Sequence, residues 1–308
     1  MKLSTYSSII DPETYNTLMT EEHIYIQQAD DTLCRLIEKQ SQEGKAEVIE
    51  LGCGPARLLE QVAQIQGIHL TGIDHDPNFI EYGKKILLDK KLQANILFGD
   101  VCSYKHVQPV DIFYSQGIHH HIPKGDDTQK YLKNTIDSLK PGGIYILSDE
   151  FLAEYSVNNT DERSIQAILW YSLVIHNAIH NGHTLLAIEE AKTLLDDLSE
   201  GQNKASIKTT EQIDLVLGSV QTIDEAARKD IHEAKKLAKD VLGQIHLLAG
   251  TKLNDDPRLD LSRGDFKICD SVFRSEVEQV GFRVQDVIHI GPIQTIGGFS
   301  IYILQKPV

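Results

Sequence analysis

Short apolar runs alternate with amphipathic segments through the first half of the chain. Within residues 46–150, five apolar runs are separated by stretches in which apolar side chains recur at helical spacing. The runs are AEVIEL, HLTGID, ANILFGD, VDIFYSQ and GIYILSDE. Strands that alternate with helices at this spacing form a parallel sheet covered on both faces. The pattern therefore predicts an α/β domain.

The alternation stops near residue 151 and returns near residue 263. Residues 151–262 contain no convincing strand, and their helical segments are separated at Gly182, Gly201 and Gly218. Two further apolar runs, FRVQDVIHI and FSIYILQ, follow. We predict a helical insertion over residues 151–262, within a domain formed by residues 46–150 and 263–308. Residues 1–45 form an N-terminal helical segment.

Charge and composition narrow the classes of partner. The formal net charge is −15, which disfavours a clustered basic surface for nucleic acid. No run of about 18 apolar residues and no apolar leader occur, so no membrane partner is expected. The four cysteines are widely spaced, as in a cytoplasmic protein with reduced thiols.

The segment EVIELGCGPARLLE, residues 47–60, is the strongest local motif. A strand is followed by Gly52 and Gly54, which allow a tight turn and close approach of a ligand. Asp74 ends the next strand, where a carboxylate can accept both hydroxyl protons of a ribose. Arg57 replaces the third glycine of a nicotinamide fingerprint, and Glu50 would repel a diphosphate. The motif favours an adenosyl ligand without phosphates.

With these residues in place, the chain resembles the class I S-adenosylmethionine-dependent methyltransferases. The matching segments are VIELGCGPARLL, TGIDHDPNFIEYGKK, ILFGDV, DIFYSQGIHHHIP and LKPGGIYILSDE, in the order of that family. The resemblance implies a Rossmann-like three-layer domain with a mostly parallel seven-stranded sheet. The all-helical insertion after the fifth strand lies outside the resemblance.

The resemblance also implies a cofactor, S-adenosyl-L-methionine, and residues that bind it. These are Glu50, Gly52 and Gly54 at the methionine end, Asp74 at the ribose, Asp100 and Val101 at the adenine, and Ser115 and Gln116 near the amino group and the sulfonium. Cys53 and His75 are expected to bind the cofactor as well. Ala56 departs from the family, because many members have a third glycine there. This substitution is small and leaves binding in place.

Several of these residues have a purely structural alternative. Asp74 could cap the following helix, although Asp76 before Pro77 is the better candidate for that cap. Asp100 could be a turn residue, and Glu50 could act through water or shape the loop.

Three candidates for catalysis stand at the carboxyl ends of the fourth and fifth strands. His120, His119 and Glu150 could take a proton from an acceptor or orient it. Adjacent histidines cannot all face one metal ion, so His119, His120 and His121 do not indicate a metal site. A structural role for these histidines is the alternative.

The predicted function is methyl transfer to the oxygen or nitrogen of a small molecule, with the insertion as a lid that selects it. The sequence SQGI stands where related nucleic-acid methyltransferases have an Asn/Asp-Pro-Pro-aromatic motif. The alternative functions are a non-methylating enzyme or a non-catalytic binding protein on the same scaffold. The amphipathic helices of the insertion could also form a homodimer interface.

Overall fold

One seven-stranded sheet organises the computed structural model, which describes residues 7, 10–41, 45–199, 209–248 and 265–308. The strands are β1 (Ala46–Leu51), β2 (Ile68–Asp74), β3 (Asn95–Phe98), β4 (Val110–Gln116), β5 (Leu139–Leu152), β6 (Arg283–Ile290) and β7 (Gly297–Gln305). Their order in the sheet is β3-β2-β1-β4-β5-β7-β6. The pairs from β3 to β5 are parallel, and β7 is antiparallel to both β5 and β6. The predicted mostly parallel, seven-stranded fold is confirmed.

Helices cover both faces of the sheet. They are α1 (Pro12–Thr17), α2 (Ile26–Gln40), α3 (Arg57–Val62), α4 (Pro77–Asp89), α5 (Asp126–Ser138), α6 (Thr160–His180), α7 (Thr184–Ser199), α8 (Thr210–Ala227), α9 (Ile231–Leu248) and α10 (Asp270–Gln279). Alternate strand residues point to opposite faces. Val48 accordingly packs with α2, α3 and α4, whereas Ile49 packs with α5 and α10.

Local sequence explains where α4 begins. The Asp76 carboxylate accepts hydrogen bonds from the backbone N–H groups of Asn78 (3.0 Å) and Phe79 (3.3 Å). Pro77 occupies the first turn, where a missing N–H leaves no hydrogen bond unmade. The helix-capping role predicted for Asp76 is confirmed.

The insertion contributes four long helices, α6 to α9. Helix α6 contacts β5 and β7, and Trp170 and Tyr171 on it are completely buried. The predicted break at Gly218 is wrong, because α8 continues through this residue and ends at Ala227. A single glycine lowers helix propensity without ending a helix whose apolar face is packed. The break predicted at Gly201 lies outside the described residues.

The N-terminal segment packs on the same strands as the insertion, β5 and β7. A single π-helical turn, Leu18–Glu22, connects α1 to the loop before α2. Helix α2 contacts β5, β7 and α3. Among the described residues, no helix is both long and apolar enough to cross a membrane.

The sheet order creates one crevice at its carboxyl edge. Strands β1 and β4 are neighbours, but the chain proceeds from β1 toward β2 and from β4 toward β5. Ligands of open α/β sheets bind where the strand order reverses in this way. The end of β1, the end of β4 and the insertion after β5 therefore meet at one place.

Candidate active site

The turn after β1 has a backbone that favours glycine. Gly52 and Gly54 have φ of +71° and +52°, and Ala56 adopts the left-handed conformation as well, with φ of +67°. A Cβ on Gly52 would lie 2.1 Å from Cδ1 of Ile118, so the close contact and the left-handed backbone both favour glycine at this position. A Cβ on Gly54 would have only ordinary contact with Phe79, at 3.8 Å, so the space above this turn is open.

The amides of this turn are already used within the protein. The N–H groups of Gly52 and Cys53 donate to the carbonyl of Ile73, at 2.8 and 3.0 Å. The N–H of Gly54 donates to the Asp74 carboxylate, at 2.7 Å. A diphosphate site needs such amides free. The geometry therefore agrees with a ligand that has no phosphate groups.

Asp74 is a buried carboxylate with capacity to spare. Its Oδ2 accepts from Gly54 and its Oδ1 accepts from the N–H of Asp76, at 2.8 Å. Each carboxylate oxygen can accept a second hydrogen bond. Burial raises the pKa of Asp74, and the two backbone donors oppose that shift. Asp76 caps α4, so Asp74 is not needed for the cap.

Glu50, at the end of β1, is almost fully buried and accepts a hydrogen bond from the Tyr114 hydroxyl, at 2.9 Å. Burial raises its pKa to about 8, although Tyr114 and Arg57 lower it. The nearby Arg57 forms an ion pair with the buried Asp30. A ligand cation beside Glu50 would compensate the cost of ionising a buried carboxylate.

Gln116 lies in the crevice, and Ser115 faces the opposite side of the sheet. The Gln116 Oε1 accepts from Arg57, and its buried Nε2 has no partner among the described residues. Ser115 is fully buried and its hydroxyl bonds to that of Tyr145, at 2.6 Å. The structure thus does not bring the Ser115 side chain to the crevice, because residues alternate along a strand.

The remaining predicted cofactor residues differ in exposure. Asp100 follows β3 and is exposed, with its carboxylate accepting from the N–H of Cys102 at 2.9 Å. Val101 packs partly against the core between the sheet and the helices α5 and α10, and His75 is half exposed beside Asp74. The Cys53 side chain is buried, so only its backbone can face a ligand.

A cavity of about 130 Å³ opens between the sheet edge, the N-terminal helices and α7. The residues on its wall are Ile10, Tyr15, Leu18, Met19, His23, Ile26, Arg57, Gln116, Gly117, His120, His121, Glu150, Leu185, Leu186, Glu189, Glu190, Thr193, Asp265, Lys267 and Phe299. One end is thus formed by the crevice residues Arg57 and Gln116. The insertion forms the other end.

His120 lies on the cavity wall and is hydrogen-bonded through Nδ1 to Asp149. Asp149 also accepts from the N–H groups of His119 (2.6 Å) and Glu150 (2.7 Å). Burial would raise the pKa of Asp149, but His120 and these hydrogen bonds lower it to about 2. Although burial opposes it, the carboxylate raises the pKa of His120. Asp149 thus orients the imidazole and makes it a stronger base.

His119 points away from the cavity. Its Nε2 lies 3.0 Å from Glu276 and 3.1 Å from Lys124, and its ring packs edge-on against Phe273. Burial and the charge of Lys124 lower its pKa. A catalytic role for His119 therefore does not fit the structure, because its side chain belongs to the core on the opposite face.

Glu150 reaches the cavity but is fully engaged there. It forms ion pairs with Lys267 (3.1 Å) and His23 (3.2 Å), and it accepts from the indole of Trp170 (2.8 Å). These partners hold the pKa of Glu150 well below its usual range, despite burial. A carboxylate held ionised in this way is a weak base. The structure gives Glu150 an organising position instead of the predicted catalytic one.

The residues that complete this network were not predicted from the sequence. Lys267 also contacts Asp265 (2.7 Å) and the hydroxyl of Tyr171 (2.8 Å). His23 and Lys267 lie at opposite ends of the chain and match no motif. The only sequence signal for Lys267 is its position directly before the apolar residues Ile268 and Cys269, which is too weak to identify it as a site residue.

A family model described as a methyltransferase domain matches residues 48–143. No curated protein matches the chain. Three solved structures are similar to it over most of its length. The first is a Bordetella parapertussis protein described as possibly exported. It shares 14% identity, with 97% of this chain and 80% of that one covered and a TM-score of 0.51.

The second is an S-adenosylmethionine-dependent methyltransferase from Methanosarcina mazei, with 14% identity, 88% and 97% coverage and a TM-score of 0.47. The third is magnesium protoporphyrin IX methyltransferase from Synechocystis with S-adenosylhomocysteine, with 11% identity, 91% and 83% coverage and a TM-score of 0.49. At these identities the likenesses concern the fold alone. The family match therefore assigns a methyltransferase domain to residues 48–143, and the sheet order and the glycine turn with Asp74 agree with that assignment.

Proposed function

We propose that this protein transfers the methyl group of S-adenosylmethionine to a small molecule held in the 130 Å³ cavity, with His120 as general base. The observation that carries the proposal is the pair of His120 and Asp149 on the wall of a cavity that also reaches Gln116. A proton acceptor, a small enclosed space and the crevice of the sheet then occupy one site.

The residues at the crevice fit the proposed cofactor. Asp74 has free acceptor capacity for two ribose hydroxyls, and Asp100 lies beyond the neighbouring strand for the adenine. Glu50 offers a buried carboxylate to the cationic methionine end, and the unpartnered Nε2 of Gln116 can donate to a ligand. When bound, S-adenosylmethionine supplies an electrophilic methyl group for in-line displacement.

The chain's own residues would then act on the acceptor. Because Asp149 is ionised and holds the proton on Nδ1 of His120, the lone pair of the neutral ring is on Nε2. Nε2 can take the proton of an acceptor hydroxyl or ammonium group. Apolar side chains from the N-terminal helices and from α7 exclude water, which keeps the acceptor aligned.

The insertion supports a role in selecting the acceptor. Leu185, Leu186, Glu189, Glu190 and Thr193 of α7 lie on the cavity wall. Helix α6 is part of the main core, because Trp170 packs beside Gly297 of β7. Point changes on α7 are therefore a better test of the selection than removal of residues 151–262.

Calorimetric titration with S-adenosylhomocysteine tests the first half of the proposal, with Asp74→Ala as the control variant. Micromolar binding that the variant loses supports the cofactor site. Release of S-adenosylhomocysteine in the presence of candidate acceptors then tests transfer. Binding without release for any acceptor would favour the alternative of a binding protein on this scaffold, and absence of binding to folded protein would contradict the proposal.

The proposal also includes a cellular compartment and an oligomeric state for the enzyme. All four cysteines are free, which supports a reducing compartment such as the cytoplasm.

Ile179, Leu185 and Leu247 are exposed apolar residues of the insertion, which supports a homodimer formed by this region. Light scattering of the purified protein, compared with Leu247→Asp, tests the dimer.

A further inference from the structure

The cavity wall has more carboxylates than cations. Glu150, Glu189, Glu190 and Asp265 lie on it, whereas its lysines and arginines among the described residues are Lys267 and Arg57. Charged groups in an enclosed site are stable only when they are paired. The pairing of each group therefore shows what charge is left for a ligand.

Both cations are already paired within the protein. Arg57 forms its ion pair with Asp30 and donates to Gln116. Lys267 lies between Glu150, at 3.1 Å, and Asp265, at 2.7 Å. Neither side chain has a spare charge for an anionic ligand, and His23 on the same wall is paired with Glu150 at 3.2 Å. A carboxylate or phosphate on the acceptor would therefore lack a counter-ion.

Glu190 is the wall carboxylate that has no basic group of the described residues within salt-bridge distance. It makes no hydrogen bond and no salt bridge with any described residue, whereas its neighbour Glu189 is paired with Lys192 at 2.6 Å. Burial, together with Glu150 and Asp265, raises the pKa of Glu190, and His23 and Lys267 oppose that shift. A cation beside Glu190 would therefore be strongly favoured.

A second acceptor atom lies on the same wall. Asp265 is only 1% exposed, and its Oδ2 binds Lys267 and the hydroxyl of Tyr171. Its Oδ1 is buried and has no hydrogen-bond partner in the described part of the chain. A buried carboxylate oxygen without a donor is costly, and a ligand N–H group would satisfy it.

The rest of the cavity suits a small apolar body. Leu18, Met19, Ile26, Leu186 and Phe299 contribute apolar side chains to the wall. A cavity of about 150 Å³ accommodates a benzene ring. The volume of about 130 Å³ here therefore fits an acceptor of roughly that size or smaller.

We propose that the acceptor is a small amine that binds as its ammonium ion, with the ammonium at Glu190 and Asp265 and an apolar body against Leu18, Met19 and Phe299. This inference rests on the proposed function, since it names the substrate class of the same cavity. The inference separates amines from neutral alcohols and from carboxylic acids, because the Glu190 carboxylate favours a cation beside it and repels an anion.

The test uses matched probes on the full-length protein at neutral pH. Benzylamine, benzyl alcohol and benzoate share one frame, and isobutylamine and isobutanol share a smaller one. Binding is measured by calorimetry with and without S-adenosylhomocysteine. We expect at least one amine to bind about tenfold to a hundredfold more tightly than its alcohol, as for a charge-assisted hydrogen bond, and benzoate not to bind.

Two variants locate the effect. Glu190→Gln should remove the preference for the amine, and Glu233→Gln should keep it, because Glu233 is exposed on α9 and does not line the cavity. Equal or tighter binding of the alcohols or of benzoate overturns the inference, and so does loss of the preference in Glu233→Gln alone. Failure of both amines to bind also overturns it, because the cavity is assigned to groups of this size.

The two proposals fail in different ways. Loss of S-adenosylhomocysteine binding by folded protein contradicts the proposed function, and the amine preference of the cavity can still be measured in the same sample without it. Normal S-adenosylhomocysteine binding without any amine preference contradicts the substrate class and leaves the cofactor site in place.

Discussion

The crevice at β1 and β2 and the cavity beneath α7 are adjacent, yet they are built in different ways. In the crevice, Glu50, Gly52, Gly54 and Asp74 come from one strand-turn-helix-strand unit, and backbone amides position the carboxylate. In the cavity, the charged groups come from residues as distant in sequence as His23 and Lys267. The first region depends on local backbone geometry, and the second depends on packing of the whole chain.

The two regions differ in the groups that hold their functional carboxylates in place. Asp74 is held by two backbone N–H groups, which do not change when side chains change. Glu150 is held by three side chains, from the N-terminal region, α6 and the segment after the insertion. We therefore expect substitutions to separate cofactor binding from acceptor chemistry.

The largest effect is expected for His120→Ala. Loss of a general base lowers kcat by about 10²–10⁴-fold, because the acceptor keeps its proton. The affinity for S-adenosylhomocysteine should stay the same, since His120 lies in the cavity and not at the turn after β1. Steady-state kinetics and calorimetry check this, with the exposed His69→Ala as control. An unchanged kcat would remove His120 from the mechanism.

The pH dependence of kcat tests the role of His120 in a second way. Only neutral His120 can take a proton, so kcat should rise with pH through its pKa, which Asp149 places above the ordinary value of 6.5. Asp149→Asn removes the carboxylate, so the rise should move to lower pH and kcat should decrease. A rise that stays at the same pH would show that another group titrates.

Lys267→Met should be the most damaging change for folding. It leaves Asp265 and Glu150 without their shared cation, and removal of one partner of a buried ion pair costs about 3–5 kcal/mol. The free energy of unfolding is measured by denaturant titration. The double change with Asp265→Asn should recover part of the loss, and a neutral effect of the single change would contradict the observed network.

Asp74→Ala tests the crevice by itself. The variant loses the carboxylate that would accept hydrogen bonds from the two ribose hydroxyls of the ligand. We therefore expect the Kd for S-adenosylhomocysteine to rise about a hundredfold. Asp76→Ala is the matched control, since it removes the α4 cap at a cost of about 1 kcal/mol of stability. Equal losses of binding in the two variants would mean that both residues act only on the loop.

The smallest effect is expected for Glu50→Gln, which should raise the thermal stability near pH 8 and lower the affinity for S-adenosylhomocysteine. The pKa of Glu50 is raised from 4.5 to about 8 in the folded protein, so stability decreases as pH rises through this interval. The variant should lack that decrease and melt at a higher temperature near pH 8. Its affinity for S-adenosylhomocysteine should fall about tenfold, because one charge-assisted contact is lost. Identical melting curves of both proteins across this interval would contradict the buried position of Glu50.

Local sequence patterns were sufficient to predict the α/β domain, the glycine turn and the cap of α4. Strand and helix periods, the left-handed turn at Gly52 and the cap by Asp76 before Pro77 depend on local sterics and hydrogen bonds within a few residues. Gly218 is the exception, because propensity predicted a break where packing of α8 maintained the helix.

Tertiary structure alone decided which charged residues share the cavity and which face each side chain takes. His119 and His120 are adjacent in sequence, but His119 packs against Phe273 and His120 lies on the cavity wall. Glu150 ends a predicted strand with no basic residue near it in the sequence, but Lys267 and His23 lie beside it in the fold. Such pairings join segments that only the folded core brings together, and no local pattern encodes the distance between them.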